Sequence, residues 1–245
     1  LTVNEFAGSH QDVILTRLNK EGKVIWNYRY GERDLNEVGN GITLSWDKKH
    51  VIVVGSVRKN DGIIAEPPVQ RLALVMKIRI SDGALIWDTW HGIEEYDDQA
   101  FLVKRSNEER YEEESYVVVG RSSGDPEQSF ERMYAFKIKD SGDEIWSNRY
   151  YLSDNFPISS IRPTSMVEDG GGQFLIAGTR SEVNRPTRLF TIGIKTADGS
   201  VSKDLWYYVA DPIYHVKNCD VDRHPDGKGY ALTFTALDFS GRCLV

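Results

Sequence analysis

Four tryptophans impose the first constraint on this chain: Trp26, Trp87, Trp146 and Trp206 stand 61, 59 and 60 residues apart. Each closes the same phrase: an apolar-alternating run, a turn carrying a glycine, then a short run that reaches the indole. The phrases span Asp12–Trp26, Ala73–Trp87, Met133–Trp146 and Phe190–Trp206, with Gly22, Gly83, Gly142 and Gly199 in their turns. The fourth holds three extra residues before its Trp. A period this regular marks an array of similar units that bury their cores against one another.

Each unit carries a second recurring element. Val51–Gly55, Tyr116–Gly120 and Phe174–Gly178 are apolar runs that end on glycine, and Tyr230–Phe234 stands in their place in the fourth unit. Polar turns precede them, such as Asp47-Lys48-Lys49, Glu168 to Gly172 and Asp226-Gly227, and a further short run lies ahead of those turns, as in Gly41–Trp46 and Ala100–Lys104. The runs alternate with period two, are rich in Val, Ile, Tyr and Trp, and are bounded by Gly, Asp and Asn. That is the signature of strands rather than helices. A strand, a glycine turn and a second strand read as a hairpin.

Four short antiparallel strands in about sixty residues match one blade of a β-propeller. The expected fold is therefore all-β, a single propeller domain over residues 1–245, with repeats at approximately 12–57, 72–122, 132–180 and 189–237. Val3–Ser9 resembles a late strand of a repeat, and Asp238–Val245 resembles the start of one. Segments 1–9 and 238–245 are expected to share a split fifth blade, because ring closure removes exposed sheet edges, or to be cut from a longer array in a larger surface protein. The recurring Trp is expected to fill the space between adjacent blades.

A formal charge of −7 argues against a nucleic-acid footprint, which requires a basic surface. No stretch approaches the roughly 20 apolar residues of a membrane-spanning helix. Cys219 and Cys243 are too few for a disulfide scaffold and lack zinc-site spacing. Two free thiols and one disulfide both remain open.

The Gly-x-x-x-Trp hairpin resembles the repeat of pyrroloquinoline-quinone-type propellers. Together with Glu168-Asp-Gly-Gly-Gly-Gln-Phe-Leu-Ile-Ala-Gly178, it looks still more like the repeats of secreted bacterial propeller proteins. The resemblance covers nearly the whole chain and implies an extracytoplasmic, bacterial scaffold. Quinone enzymes of that type are larger rings with a bound calcium and often a vicinal disulfide. Here the cysteines are not adjacent, so no cofactor is expected.

Long connections at roughly 57–71, 121–131 and 179–188 select one face of the scaffold, since binding residues concentrate on loops carried by a rigid frame. That face is expected to gather Glu32, Asp34, Glu37, Glu94, Glu95, Asp97, Asp98, Asp154 and Asp211 from one set of loops, with Arg58, Lys59, Arg121, Arg180, Arg185 and Arg188 from the other. The binding candidates are Arg58, Glu94, Glu95, Asp97, Asp98, Arg121, Asp154, Arg180 and Asp211. The run Glu94-Glu95-Tyr96-Asp97-Asp98 reads as a solvated acidic loop, or as a site for a hard cation. His91 and His215 read as exposed loop histidines. No catalytic or metal-binding motif stands out, and no carboxylate pair is singled out for glycoside hydrolysis. The function expected is a non-catalytic scaffold for a protein or glycan, the rival being a glycan-active or quinone-dependent enzyme built on loop carboxylates.

Overall fold

A computed structural model describes residues 2–6, 10–59, 70–106, 114–124, 130–152, 157–169, 171–205 and 215–237. These form strands in five antiparallel sheets, with no helix among them. Sheet I orders β1 (Thr2–Phe6), β2 (His10–Leu18) and β3 (Val24–Tyr30). Sheet II orders β4 (Leu35–Leu44), β5 (His50–Lys59), β6 (Leu72–Arg79) and β7 (Leu85–His91). Sheet III holds β8 (Asp97–Ser106), β9 (Ser115–Ser123), β10 (Arg132–Lys139) and β11 (Glu144–Tyr150). Sheet IV holds β12 (Ile158–Glu168), β13 (Gln173–Glu182), β14 (Arg188–Lys195) and β15 (Val201–Leu205). Sheet V pairs β16 (His215–Arg223) with β17 (Tyr230–Leu237).

Each four-stranded sheet is an up-and-down meander, and the first strands touch in series, β4 with β8, β8 with β12 and β12 with β16. That is the blade arrangement of a propeller. Its phase differs from the expectation that one repeat makes one blade. Sheet II takes β4 and β5 from the first repeat and β6 and β7 from the second, and sheets III and IV are offset in the same way. The cause lies in the ladders. β5 pairs with β6 continuously from His50↔Arg79 to Val57↔Leu72, so the long connection between them is a hairpin loop. The short connection at 92–96 is what crosses from one sheet to the next. Of the split fifth blade expected from segments 1–9 and 238–245, the described residues show only the N-terminal strand β1, which pairs with β2. Residues 238–245 lie outside the described residues.

Apolar side chains fill every space between consecutive sheets. Sheets II to IV are thus covered on both faces, which explains why their middle strands read as unbroken apolar runs such as Tyr116-Val-Val-Val119 rather than alternating ones. Phe136, Tyr134, Phe174 and Phe190 are among the largest fully buried side chains. Each such group contributes about 1.5–3 kcal/mol through burial. Sheet I differs on one face. Leu18 is 53% exposed, whereas Ile78, Ile138 and Ile194, at the same ladder position in sheets II, III and IV, are each 0% exposed.

The tryptophans do join sheets. Trp26 Nε1 donates to the Ile80 carbonyl of sheet II at 2.9 Å, and Trp146 Nε1 donates to the Thr196 carbonyl of sheet IV at 3.0 Å. Trp87 packs against the buried cluster between sheets II and III, and Trp206 lies outside the described residues. The glycine of the next sheet completes the joint. Gly199 turns the chain at φ +70°, and a Cβ there would come within 2.7 Å of the Trp146 ring. One residue therefore meets two needs, a left-handed turn and a flat seat for the preceding indole.

Candidate functional site

Sheets I and II meet around a cleft of about 250 Å³ beside the 31–34 connection. β3 supplies Arg29 and Tyr30, β4 supplies Glu37, and β7 supplies Asp88 and Trp90; Asp12 of β2 adjoins this lining through Gly31 and Arg29. Asp12 and Glu37 are only 4% and 5% exposed, whereas Trp90 is 42% exposed. Arg29 Nε holds Asp12 Oδ2 at 2.7 Å. Glu37 Oε1 accepts from the Glu32 amide at 3.0 Å and so fastens the connection that leads into β4.

The other two carboxylate oxygens converge. A Cβ on Gly31 would stand 2.0 Å from Asp12 Oδ1 and 3.0 Å from Glu37 Oε2, so these oxygens lie within the sum of those distances of each other. Glycine is the residue that leaves them room. Neither oxygen has a hydrogen-bond partner among the described residues. Burial pushes the Glu37 carboxyl up to about 7; the Glu32 amide pulls it down, and the neighbouring charges of Asp12 and Glu32 push it further up.

Asp98 occupies the same ladder position in sheet III that Glu37 occupies in sheet II. It too accepts an amide five residues upstream, from Ile93 at 3.0 Å. Its charge is answered: Arg149 Nη2 lies 2.6 Å away, with its guanidinium over the rings of Tyr134 and Tyr96. Burial raises the Asp98 carboxyl even against the pull of Arg149.

A second space, about 450 Å³, runs along the first strands of sheets II to V and is lined by Asn40, Phe101, Lys104, Thr164, Asp220 and Asp222, among others. β4, β8 and β12 each bulge at the same register, after Gly39, Ala100 and Pro163. Two of the extra residues stitch neighbouring strands together: Asn40 Nδ2 donates to the Ala100 carbonyl at 2.9 Å and Thr164 Oγ1 donates to the Cys219 carbonyl at 2.6 Å. Asp220 is hydrogen-bonded by Ser165. Cys219 is a free, buried thiol whose pKa burial pushes up, and Cys243 lies outside the described residues.

The sequence candidates separate into three groups. Glu94 and Glu95 are exposed loop residues and Arg58 is exposed on β5. Asp154 and Asp211 lie outside the described residues. The remaining four are held in ion pairs: Asp97 with Arg71 at 2.7 Å, Asp98 with Arg149, Arg121 with Glu131 at 2.8 Å, and Arg180 with Glu182 at 3.4 Å. Arg185 and Arg188 also approach Glu182. The acidic run is thus not one solvated loop. Its last two members enter β8, where burial demands counter-charges. Glu37, read as a loop acid, is the third residue of β4 and buried. His91 is likewise not an exposed loop residue: it is 8% exposed, stacks on Phe136 at 4.8 Å and bonds Thr89.

Asp12 and Trp90 had not been singled out. Aligned repeats carry the signal for both. Asp12 stands where Leu72, Arg132 and Arg188 stand, and Trp90 replaces the arginine of Arg29 and Arg149.

No protein-family model matches the chain, and no curated protein matches it. Among solved structures it is similar to one described as "Structure of Dos1 propeller", at 10% sequence identity and a TM-score of 0.40. The alignment covers 96% of this chain, which spans 60% of the other chain's length. Sheet order and ladders of this chain, rather than that likeness, carry the propeller-type assignment. No helix among the described residues is long and apolar enough to cross a membrane.

Proposed function

We propose that this chain is a non-catalytic propeller scaffold, extracytoplasmic in setting, that binds a protein or glycan partner through the face carrying its inter-sheet connections. The observation behind this reading is the cleft between sheets I and II, which is lined by the exposed Trp90 indole and by Glu37, whose Oε2 has no hydrogen-bond partner among the described residues. An aromatic platform beside a few convergent polar groups is the usual composition of a recognition site. Exposed Ile93, Tyr151 and Val183 on neighbouring connections extend the apolar part of that face. Outer strands expose Ile25, Ile86 and Ile145 nearer the opposite end, which supplies an internal control.

Binding to immobilised panels of glycans and of peptides tests the reading. A variant with Trp90→Ala and Tyr151→Ala is expected to lose at least about tenfold in affinity for whichever probe binds, since exposed aromatics at recognition sites carry that much. A variant with Ile25→Ala and Ile86→Ala is expected to keep it. The reverse pattern overturns the choice of face.

One observation favours an enzymatic reading instead. Asp12 and Glu37 form a close carboxylate pair in a cleft, with one member half-protonated at about pH 7, the arrangement general acid–base chemistry uses. Turnover of a glycoside panel that disappears in Glu37→Gln would replace the scaffold reading by this one.

A further inference from the structure

We propose that the Asp12–Glu37 cleft is the seat for one basic side chain, the guanidinium of an arginine or the ammonium of a lysine, presented by a partner protein. This rests on the scaffold reading and narrows its partner to a protein.

The molecule itself shows what compensates the charge at this position, although Asp98 Oδ1, like Glu37 Oε2, has no hydrogen-bond partner among the described residues. In sheet III the ladder-equivalent acid, Asp98, is answered by Arg149 from the last strand of the same sheet. In sheet II the ladder position of Arg149 is held by Trp90. Sheet II therefore keeps the buried acid and lacks its internal cation. In its place stands an aromatic face of the kind that Tyr134 and Tyr96 offer the guanidinium of Arg149 in sheet III.

The cleft's charges point the same way. Arg29 is the one cation among the described residues that line it, and it is already engaged by Asp12, while Glu32, Glu37 and Asp88 line the same space. Asp12 Oδ1 and Glu37 Oε2, which have no hydrogen-bond partner among the described residues, only accept when ionised. A sugar hydroxyl would supply a hydrogen bond and leave the buried charge uncompensated; a guanidinium or ammonium supplies both. Among the described residues no group of three or more His, Cys, Asp or Glu side chains is placed to hold a metal ion.

The groups that face Glu37 are Asp12 from β2, Arg29 from β3, Glu32 from the connection and Asp88 from β7. With its carboxyl at about 7, Glu37 is ionised at about pH 8 and protonated at about pH 5, so affinity for a cation falls on acidification.

The test is a titration of the full chain with capped Gly-Arg-Gly and Gly-Lys-Gly peptides, read from the Trp90 indole resonance and by calorimetry. The citrulline peptide serves as the uncharged isostere. Expected are saturable shifts with Arg or Lys, none with citrulline, and at least about tenfold weaker binding at about pH 5. Glu37→Gln should weaken binding by a similar factor and remove the pH dependence. Trp90→Arg, which rebuilds the sheet III pair inside sheet II, should abolish peptide binding while the protein stays folded by circular dichroism. Equal shifts from citrulline, no shift from either basic peptide, or full binding by Glu37→Gln would overturn the proposal. A glycan from the panels that moves the Trp90 resonance while the basic peptides stay silent defeats this inference and leaves the binding face intact. Silence of every probe defeats both.

Discussion

Sheets II and III place a buried carboxylate at the same ladder position and complete it differently. Asp98 is 0% exposed and meets a guanidinium at 2.6 Å; Glu37 is 5% exposed and meets another acid. Both fasten the connection ahead of their strand by accepting an amide, so both have a structural duty. Only one has its charge compensated. A repeat architecture supplies the scaffold many times over, and single departures from the repeat show where the scaffold is not the whole account.

Removing the guanidinium breaks the better-satisfied half of this comparison. Arg149→Met leaves Asp98 buried beside no cation and is expected to cost about 3–5 kcal/mol, read as a fall in the urea midpoint at about pH 7. A cost under about 1 kcal/mol would mean that Asp98 takes up a proton at little expense.

Neutralising the other acid should act with the opposite sign. The Glu37 carboxyl rises from 4.5 in the unfolded chain to about 7 in the folded one, so the folded state binds the proton more tightly. Stability contributed by the protonated group is fully present below about 4.5 and is lost as pH rises through about 7. Glu37→Gln is therefore expected to stabilise by about 1–2 kcal/mol at about pH 8 and by almost nothing at about pH 4. Parallel thermal melts at the two pH values check it.

The smallest effect concerns the indole joints that both regions share. Trp26→Phe keeps most of the packing but deletes the bond to the Ile80 carbonyl, with an expected loss of about 1 kcal/mol. A double-mutant cycle with Glu37→Gln should be close to additive if the joint and the cleft act independently.

Much of the fold was legible because it is periodic. Trp spacing, glycine turns and period-two runs located the repeating hairpins, and the expectation that Trp bridges units agrees with the bonds of Trp26 and Trp146. The phase of the sheets was not legible, since a period gives the length of a unit and not its first strand. Placing the boundary at the connections after β5, β9 and β13 followed expected loop length, whereas hydrogen-bond pairing places it at 31–34, 92–96 and 151–157. The site was less legible still. Charge alone does not tell Asp98, buried and paired, from Glu94, exposed a few residues earlier. Glu37 lay inside the anticipated acidic set, but Asp12 and Trp90 stand out only when strands are aligned by ladder position, which requires the correct phase.

The serial contacts between sheets have a kinetic consequence. Each sheet borrows its core from its neighbours, and sheets I and V are the two ends of the described array. Local opening free energies should then rise inward from both ends. Amide protons of β9 and β10 should exchange with solvent slowest, while those of β2, beside exposed Leu18, should exchange before any global unfolding. The uncharged-to-charged change at Glu37 sits on the joint between the fastest sheet and the rest, so alkaline solution should loosen sheet I as a unit and leave sheet III protected.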